Sequence, residues 1–306
     1  YYSCYVTDTD DYGNIKQGEN DISFRENSAM FGGAIAVVGG LDGTTLVKSS
    51  LQLSGLIDEA AGKTWSVMMY HNFTDGEGES GNDIYAVDAN VDVTAMASLC
   101  EEAKGNGAGI FAGNNTDVVV KTSLFSTTYA QNGSAIYFRG NSLTVSDSVF
   151  SQNVATSGDV VDGDGGAIYV EGTISQTAVV VLTGNVISYA WAKRGGAIYV
   201  GENVNFSLSG KEGELSSLEK TYAELGGAIY YASTYEAESQ INYVSFKTSI
   251  YLEDADGQKI YPKNGGGIYV ADGDLVVANS SFTFCRADNG GAVYIKKGKV
   301  TFKDTN

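Results

Sequence analysis

The sequence predicts an all-β chain wound as a single-stranded, right-handed parallel β-helix, a β-solenoid of about nine to ten coils. Three observations predict it. A glycine-rich hexapeptide recurs along the chain, a bulky apolar residue keeps a fixed offset before it, and β-branched runs of strand length lie between the copies.

The hexapeptide reads GGAIAV from Gly32, GNDIYA from Gly81, GAGIFA from Gly107 and GSAIYF from Gly133. It continues as GGAIYV from Gly165 and Gly195, GGAIYY from Gly226, GGGIYV from Gly265 and GGAVYI from Gly290. Its anchors, Ile35, Ile84, Ile110, Ile136, Ile168, Ile198, Ile229, Ile268 and Val293, are spaced 49, 26, 26, 32, 30, 31, 39 and 25 residues apart. A period of 25 to 31 residues suits one solenoid coil, and longer intervals carry insertions. The insertions are expected near 51–80, 154–164, 209–216 and 250–264, within one domain spanning 1–306 whose residues 1–20 form an N-terminal segment. The 49-residue interval holds either one degenerate copy or a long insertion.

Eleven residues before six of the nine anchors stands a bulky apolar residue: Phe24, Leu99, Phe125, Ile187, Leu218 and Phe282. Between anchors, TDVVVKTSLF, NSLTVSDSVF and DLVVANSSFTF read as short strands. SSLEKTYAEL at 216–225 looks like a capped helix, but Leu218 falls on the eleven-residue register, so it is read as coil. The right hand follows the crossover rule for parallel strands.

The paired small residues let the backbone turn through positive φ and approach the next coil. The strand after them alternates, so Ile168 and Val170 point into the core while Tyr169 points out. The outer position recurs as Tyr85, Phe111, Tyr137, Tyr169, Tyr199, Tyr230, Tyr269 and Tyr294, and only Ala36 breaks it. These rings are expected as an exposed aromatic ladder. It either stiffens the sheet or offers a contact stripe to sugar rings, a neighbouring rod or a capping segment.

Composition narrows the function. The net charge of −18 repels nucleic acid and anionic headgroups. No apolar run reaches the length of a membrane span. The absence of an initiating Met and of a signal peptide makes the chain read as a mature form or a fragment. Cys4, Cys100 and Cys285 lack metal-type spacing and are expected as buried or free thiols, with one internal bridge as the alternative and, behind it, an intermolecular bridge from the leftover Cys.

GGAI combined with FxxN resembles the repeat of the chlamydial polymorphic outer-membrane proteins. Phe24–Asn27 before Gly32 and Phe150–Asn153 before Gly165 carry both halves; elsewhere the hydrophobe stays and the Asn is lost, as where Thr128 follows Phe125. The resemblance implies a secreted surface passenger, extracellular or at the cell surface, that adheres to cells or builds a surface layer.

Candidate chemistry is sparse. GNGAGIFAG from Gly105 mimics a dinucleotide fingerprint, but a strand comes after it and the pattern recurs, so no nucleotide or other cofactor is expected. His71 sits in a loop without a partner arrangement, no catalytic residues are assigned, and the chain is read as a non-enzyme. Carboxylates two apart beside glycine, Asp162 with Asp164, Asp254 with Asp256 and Asp272 with Asp274, are weak calcium candidates or simply turns. Sequons place glycosylation candidates at Asn72, Asn114, Asn132, Asn205 and Asn279. The last copy stops within a coil, and Lys296, Lys297, Lys299 and Lys303 oppose the acidic DTDD at 8–11. Copies of the chain are therefore the expected partners, stacking head to tail into a fibre. The alternatives are a monomeric adhesin binding host glycans and, behind it, a polysaccharide-active β-helix enzyme.

Overall fold

The computed structural model describes residues 22–55, 67–74, 81–99, 102–158, 160–236, 239–248, 252–253 and 259–305. Their regular structure is strand throughout, arranged in three nine-stranded parallel sheets and three small two-stranded ones. Each coil contributes one strand to each sheet. The fourth runs through Ile136–Phe138 in the anchor sheet, Ser142–Ser146 in the middle sheet and Val149–Ala155 in the third sheet. Successive anchors pile in register, Ile136 on Ile168 on Ile198 on Ile229. The molecule is a parallel β-solenoid.

The 49-residue interval is a single coil. Ile35–Val38 pairs directly with Ile84–Val87, and Ser49–Ser54 with Ala89–Thr94, so no further copy lies between them among the described residues. An antiparallel hairpin, Gly40–Asp42 with Thr45–Val47, lengthens it. The expected insertion at 51–80 is thus too wide, because Ser49–Ser54 and Val67–Tyr70 are coil strands. Smaller excursions leave other corners at the bridges Thr173–Gln176 and Lys211–Glu214 and at the hairpin Leu252–Glu253 with Lys259–Ile260. The 216–225 segment contributes the strand Ser216–Glu219.

Alternation fills the core. Val118 and Val120, Leu143 and Val145, Val180 and Leu182, and Phe206 and Leu208 all enter it from the middle sheet, in one cluster that runs from Val37 to Val277. Burying each such side chain contributes roughly 1.5–3 kcal/mol. In the third sheet the inward column is Phe24, Met69, Ser98, Phe125, Phe150, Ile187, Leu218, Phe246 and Phe282. The eleven-residue offset therefore fails at Leu99. That residue lies on the opposite face, clustered with Ala97, Met68, Tyr70 and Leu124. A one-residue slip in a strand exchanges its faces, and it leaves the buried Ser98 hydroxyl without a partner in the core column.

The two glycines of the hexapeptide do different work. The first sits at positive φ, +65° at Gly165, where an added Cβ would lie 2.3 Å from the carbonyl oxygen of Ile168. The second makes room for the neighbouring coil: a Cβ on Gly196 would lie 2.2 Å from the Gly227 oxygen. Many other corners use left-handed residues that are not glycine, among them Glu26, Thr127, Gln152, Tyr189, Lys220 and Phe284, each two positions past the inward column, while a few, such as Gly184, use glycine.

Candidate functional site

The outer side of the anchor sheet carries the most ordered array of side chains. In-register pairing sets each aromatic residue over the next, Tyr137 against Tyr169 and Tyr169 against Tyr199. From Tyr85 to Tyr294 the rings stack near-parallel at centroid separations of 4.7–5.4 Å and interplanar angles of 4–13°. The first coil lacks an aromatic at Ala36, yet the ladder does not stop there. Phe31, from just before Gly32, places its ring 5.2 Å from Tyr85.

The expectation of an exposed ladder is corrected. Phe111, Tyr137, Tyr199 and Tyr269 are 5–8 % exposed, and Tyr85, Tyr169, Tyr230 and Tyr294 are half-buried. Parallel strands lie about 4.8 Å apart, close to the stacking distance of two rings, so each face is covered by the next coil. What remains open to solvent is the row of ring edges.

Charges flank that row and are spent between coils. Arg194 donates to Asp164 from Nε at 2.8 Å and from Nη2 at 2.5 Å, a fork that fixes its plane. The same guanidinium lies 5.0 Å from the Tyr199 ring centroid and 5.2 Å from that of Tyr230. Tyr169 donates its hydroxyl proton to Glu171 Oε2 at 3.1 Å, and Arg139 Nε lies 3.4 Å from that oxygen. Burial pushes the Tyr199 hydroxyl up to about 12 although Arg194 pulls the other way. Burial, together with the Glu171 charge, also raises that of Tyr169. Further rungs join Asn132 to Asn106 at 2.8 Å, Asn289 to Asn264 at 3.1 Å and Lys247 to Glu219 at 3.0 Å.

The calcium candidates do not converge. Asp162 accepts from the Ser157 amide and hydroxyl, Asp164 is held by Arg194, and Asp272 pairs with Lys297 at 2.6 Å and accepts from the Gly273 amide. Asp274 faces Lys299 across the middle sheet, while Asp254 and Asp256 lie outside the described residues. Among the described residues no three His, Cys, Asp or Glu side chains gather as a metal site. His71 is an exposed corner at positive φ beside Phe73, and Cys285 is a half-buried free thiol; Cys4 and Cys100 lie outside the described residues.

The sequons divide by burial. Asn72 is fully buried, donates to Asp83 Oδ1 at 2.9 Å and accepts from Asn27 at 2.9 Å, which closes it to a glycosylating enzyme in the folded coil. Asn132 and Asn279 are half-buried and hydrogen-bonded to neighbouring coils. Asn114 is exposed, and Asn205 is half-exposed on the outer face of the middle sheet.

The FxxN motif now has a physical meaning. Phe150 stacks on Phe125 at 5.0 Å in the core, Gln152 turns the chain at positive φ, and Asn153 donates to the Phe125 carbonyl and to Thr128. That geometry lies inside a match: residues 147–171 fit the family model described as the Chlamydia polymorphic membrane protein (Chlamydia_PMP) repeat. The chain carries a repeat of this type. It covers the third strand of one coil and the anchor strand of the next. No curated protein and no solved structure matches the chain.

Proposed function

We propose that this chain is an extracellular structural rod displayed at a cell surface, with adhesion carried on its exposed corners. The observation that carries the structural half is the use of the outer side chains. The stacked rings, the Asp164–Arg194 fork and the Asn rungs all tie one coil to the next. Such a surface stiffens a scaffold rather than gathering reactive groups. The Chlamydia membrane-protein repeat at residues 147–171 supports the surface half. Head-to-tail stacking into a fibre extends this reading, since parallel sheets accept further strands at an open edge.

Labelling intact source cells with an antibody raised against the purified chain tests the location, with surface fluorescence expected; a signal that needs permeabilised cells overturns it. Negative-stain microscopy tests the assembly. Nine coils at about 4.8 Å each make a rod of about 40 Å, and filaments of many such lengths would establish the fibre, whereas dispersed particles at high concentration would leave the monomeric adhesin.

A further inference from the structure

The ring ladder carries a redox chemistry as well as packing. From Tyr137 to Tyr294 it is unbroken tyrosine, with the centroids of neighbouring rings 4.7–5.4 Å apart and their faces in contact. A phenol is among the side chains most easily oxidised by one electron, and contact between π systems lets the resulting vacancy pass from ring to ring. Phe111 closes the run at one end, because its benzene ring gives up an electron far less readily.

The charges along this run are unequal. Tyr169 donates its hydroxyl proton to Glu171 Oε2 at 3.1 Å. The rings on either side face cations instead. Arg139 is hydrogen-bonded to Tyr137, and the Arg194 guanidinium lies 5.0 Å and 5.2 Å from the Tyr199 and Tyr230 centroids. A nearby negative charge eases the loss of an electron, and a positive one opposes it. Burial and the Glu171 charge also keep the Tyr169 phenol protonated. Its oxidation must therefore release a proton, and a base already hydrogen-bonded to it supplies the path. Protonating Glu171 gives up little, because its 3.4 Å pair with Arg139 is loose and the Arg139 side chain is 43 % exposed.

We propose that Tyr169 is the oxidation site of the ladder: a one-electron oxidant draws an electron from the stack, the Tyr169 O–H bond breaks, its proton passes to Glu171 Oε2, and a phenoxyl radical remains on Tyr169. Where the oxidant strikes another ring first, that ring loses its proton to water. It then recovers an electron from Tyr169 and a proton from water, and the radical moves to Tyr169. This site is independent of the surface role and stands or falls without it.

Flash-generated tris(bipyridine)ruthenium(III) serves as the oxidant, a nitroso spin trap marks the radical, and peptide mass spectrometry reads the adducts. In the native chain Tyr169 is expected to carry about five times the adduct of Tyr230 or Tyr294, which are half-buried as it is. Glu171→Gln keeps an acceptor oxygen but neither the charge nor the base, and should abolish the preference. Tyr169→Phe keeps the stack and should raise the adducts on Tyr137 and Tyr199, from which radicals no longer drain. An even spread over the ladder overturns the proposal. A preference that survives Glu171→Gln marks exposure alone and overturns it too, and unchanged neighbours in Tyr169→Phe overturn the transfer between rings.

Discussion

The coils opened by Gly81, Gly107 and Gly133 differ from those opened by Gly165, Gly195, Gly226 and Gly265 in the residue after the first glycine. The early coils carry Asn82, Ala108 and Ser134 there; the later ones carry only glycine. The backbone explains the difference. Ala108 donates to the Ser134 carbonyl and Ser134 to the Gly166 carbonyl, each to its own counterpart one coil on. In the later coils the second glycine donates one residue earlier, as Gly166 does to the Gly195 carbonyl. With that shift the carbonyl of the next coil's second glycine lies against the Cβ position: an added Cβ would lie 2.1–2.2 Å from the oxygens of Gly196, Gly227, Gly266 and Gly291 at Gly166, Gly196, Gly227 and Gly266 respectively. Side chains are admitted in the early coils and are used. Ser134 Oγ donates to the Gly166 carbonyl at 2.6 Å, and Asn82 Nδ2 donates to the Glu102 carbonyl at 2.7 Å. One turn geometry thus tolerates polar residues, and its close variant excludes every side chain.

The largest way to break this contrast is Gly196→Ala. A backbone clash at that distance is expected to cost about 4 kcal/mol or more, whereas Ser134→Gly should cost about 1 kcal/mol for its lost hydrogen bond. Chemical denaturation of both compares them, and equal losses would remove the close-approach argument. Alkaline unfolding comes next and bears on the ladder, which crosses both halves. The Tyr199 hydroxyl ionises near 12 when folded, against about 10 when free. Its neutral form is the one that folding favours, so its contribution is fully present below pH 10 and is lost as pH rises toward 12. Calorimetry from pH 9 to 12 should show the midpoint falling in that window. Asp164→Asn ranks third, at about 1 kcal/mol, because the Arg194 side chain is 37 % exposed and water screens the pair. Added salt should shrink the difference between this variant and the parent. Ser98→Ala has the smallest expected effect and the opposite sign. Its hydroxyl is buried without a partner, so removal should leave stability unchanged or raise it by up to about 1 kcal/mol.

Changing Tyr169, Tyr199 and Tyr230 together to Ser cannot serve as a binding test that leaves the rod intact. Each ring is stacked on both sides, so the triple variant removes packing as well as edges. Glycan attachment offers a cleaner probe of the surface. In a glycosylating host, mass spectrometry should find sugar at Asn114 or Asn205 before Asn72, because Asn72 is enclosed on all sides.

Much of this was legible because it is local. Ile168 and Val170 inside with Tyr169 outside follows from strand alternation, and the turn follows from glycine at positive φ. Leu99 was misplaced because an offset counts residues along the chain, while the core column is set by pairing with Tyr70 and Ser126 on neighbouring coils. Phe31 was missed because it completes the ladder from a turn, outside the repeat position that Ala36 occupies. The left-handed corners at Thr127, Gln152 and Lys220 gave no signal either, since those residue types seldom hold such a conformation alone.

By itself the amino-acid order determined the coil period, through its recurrence, and the inward face of the anchor strands and the place of the glycine turns, which are properties of residues a few bonds apart. Only the tertiary structure decided which outer groups are covered and which glycines are indispensable. Both depend on atoms one coil away, at 25 to 49 residues' remove along the chain, and contact between stacked coils is settled by their register.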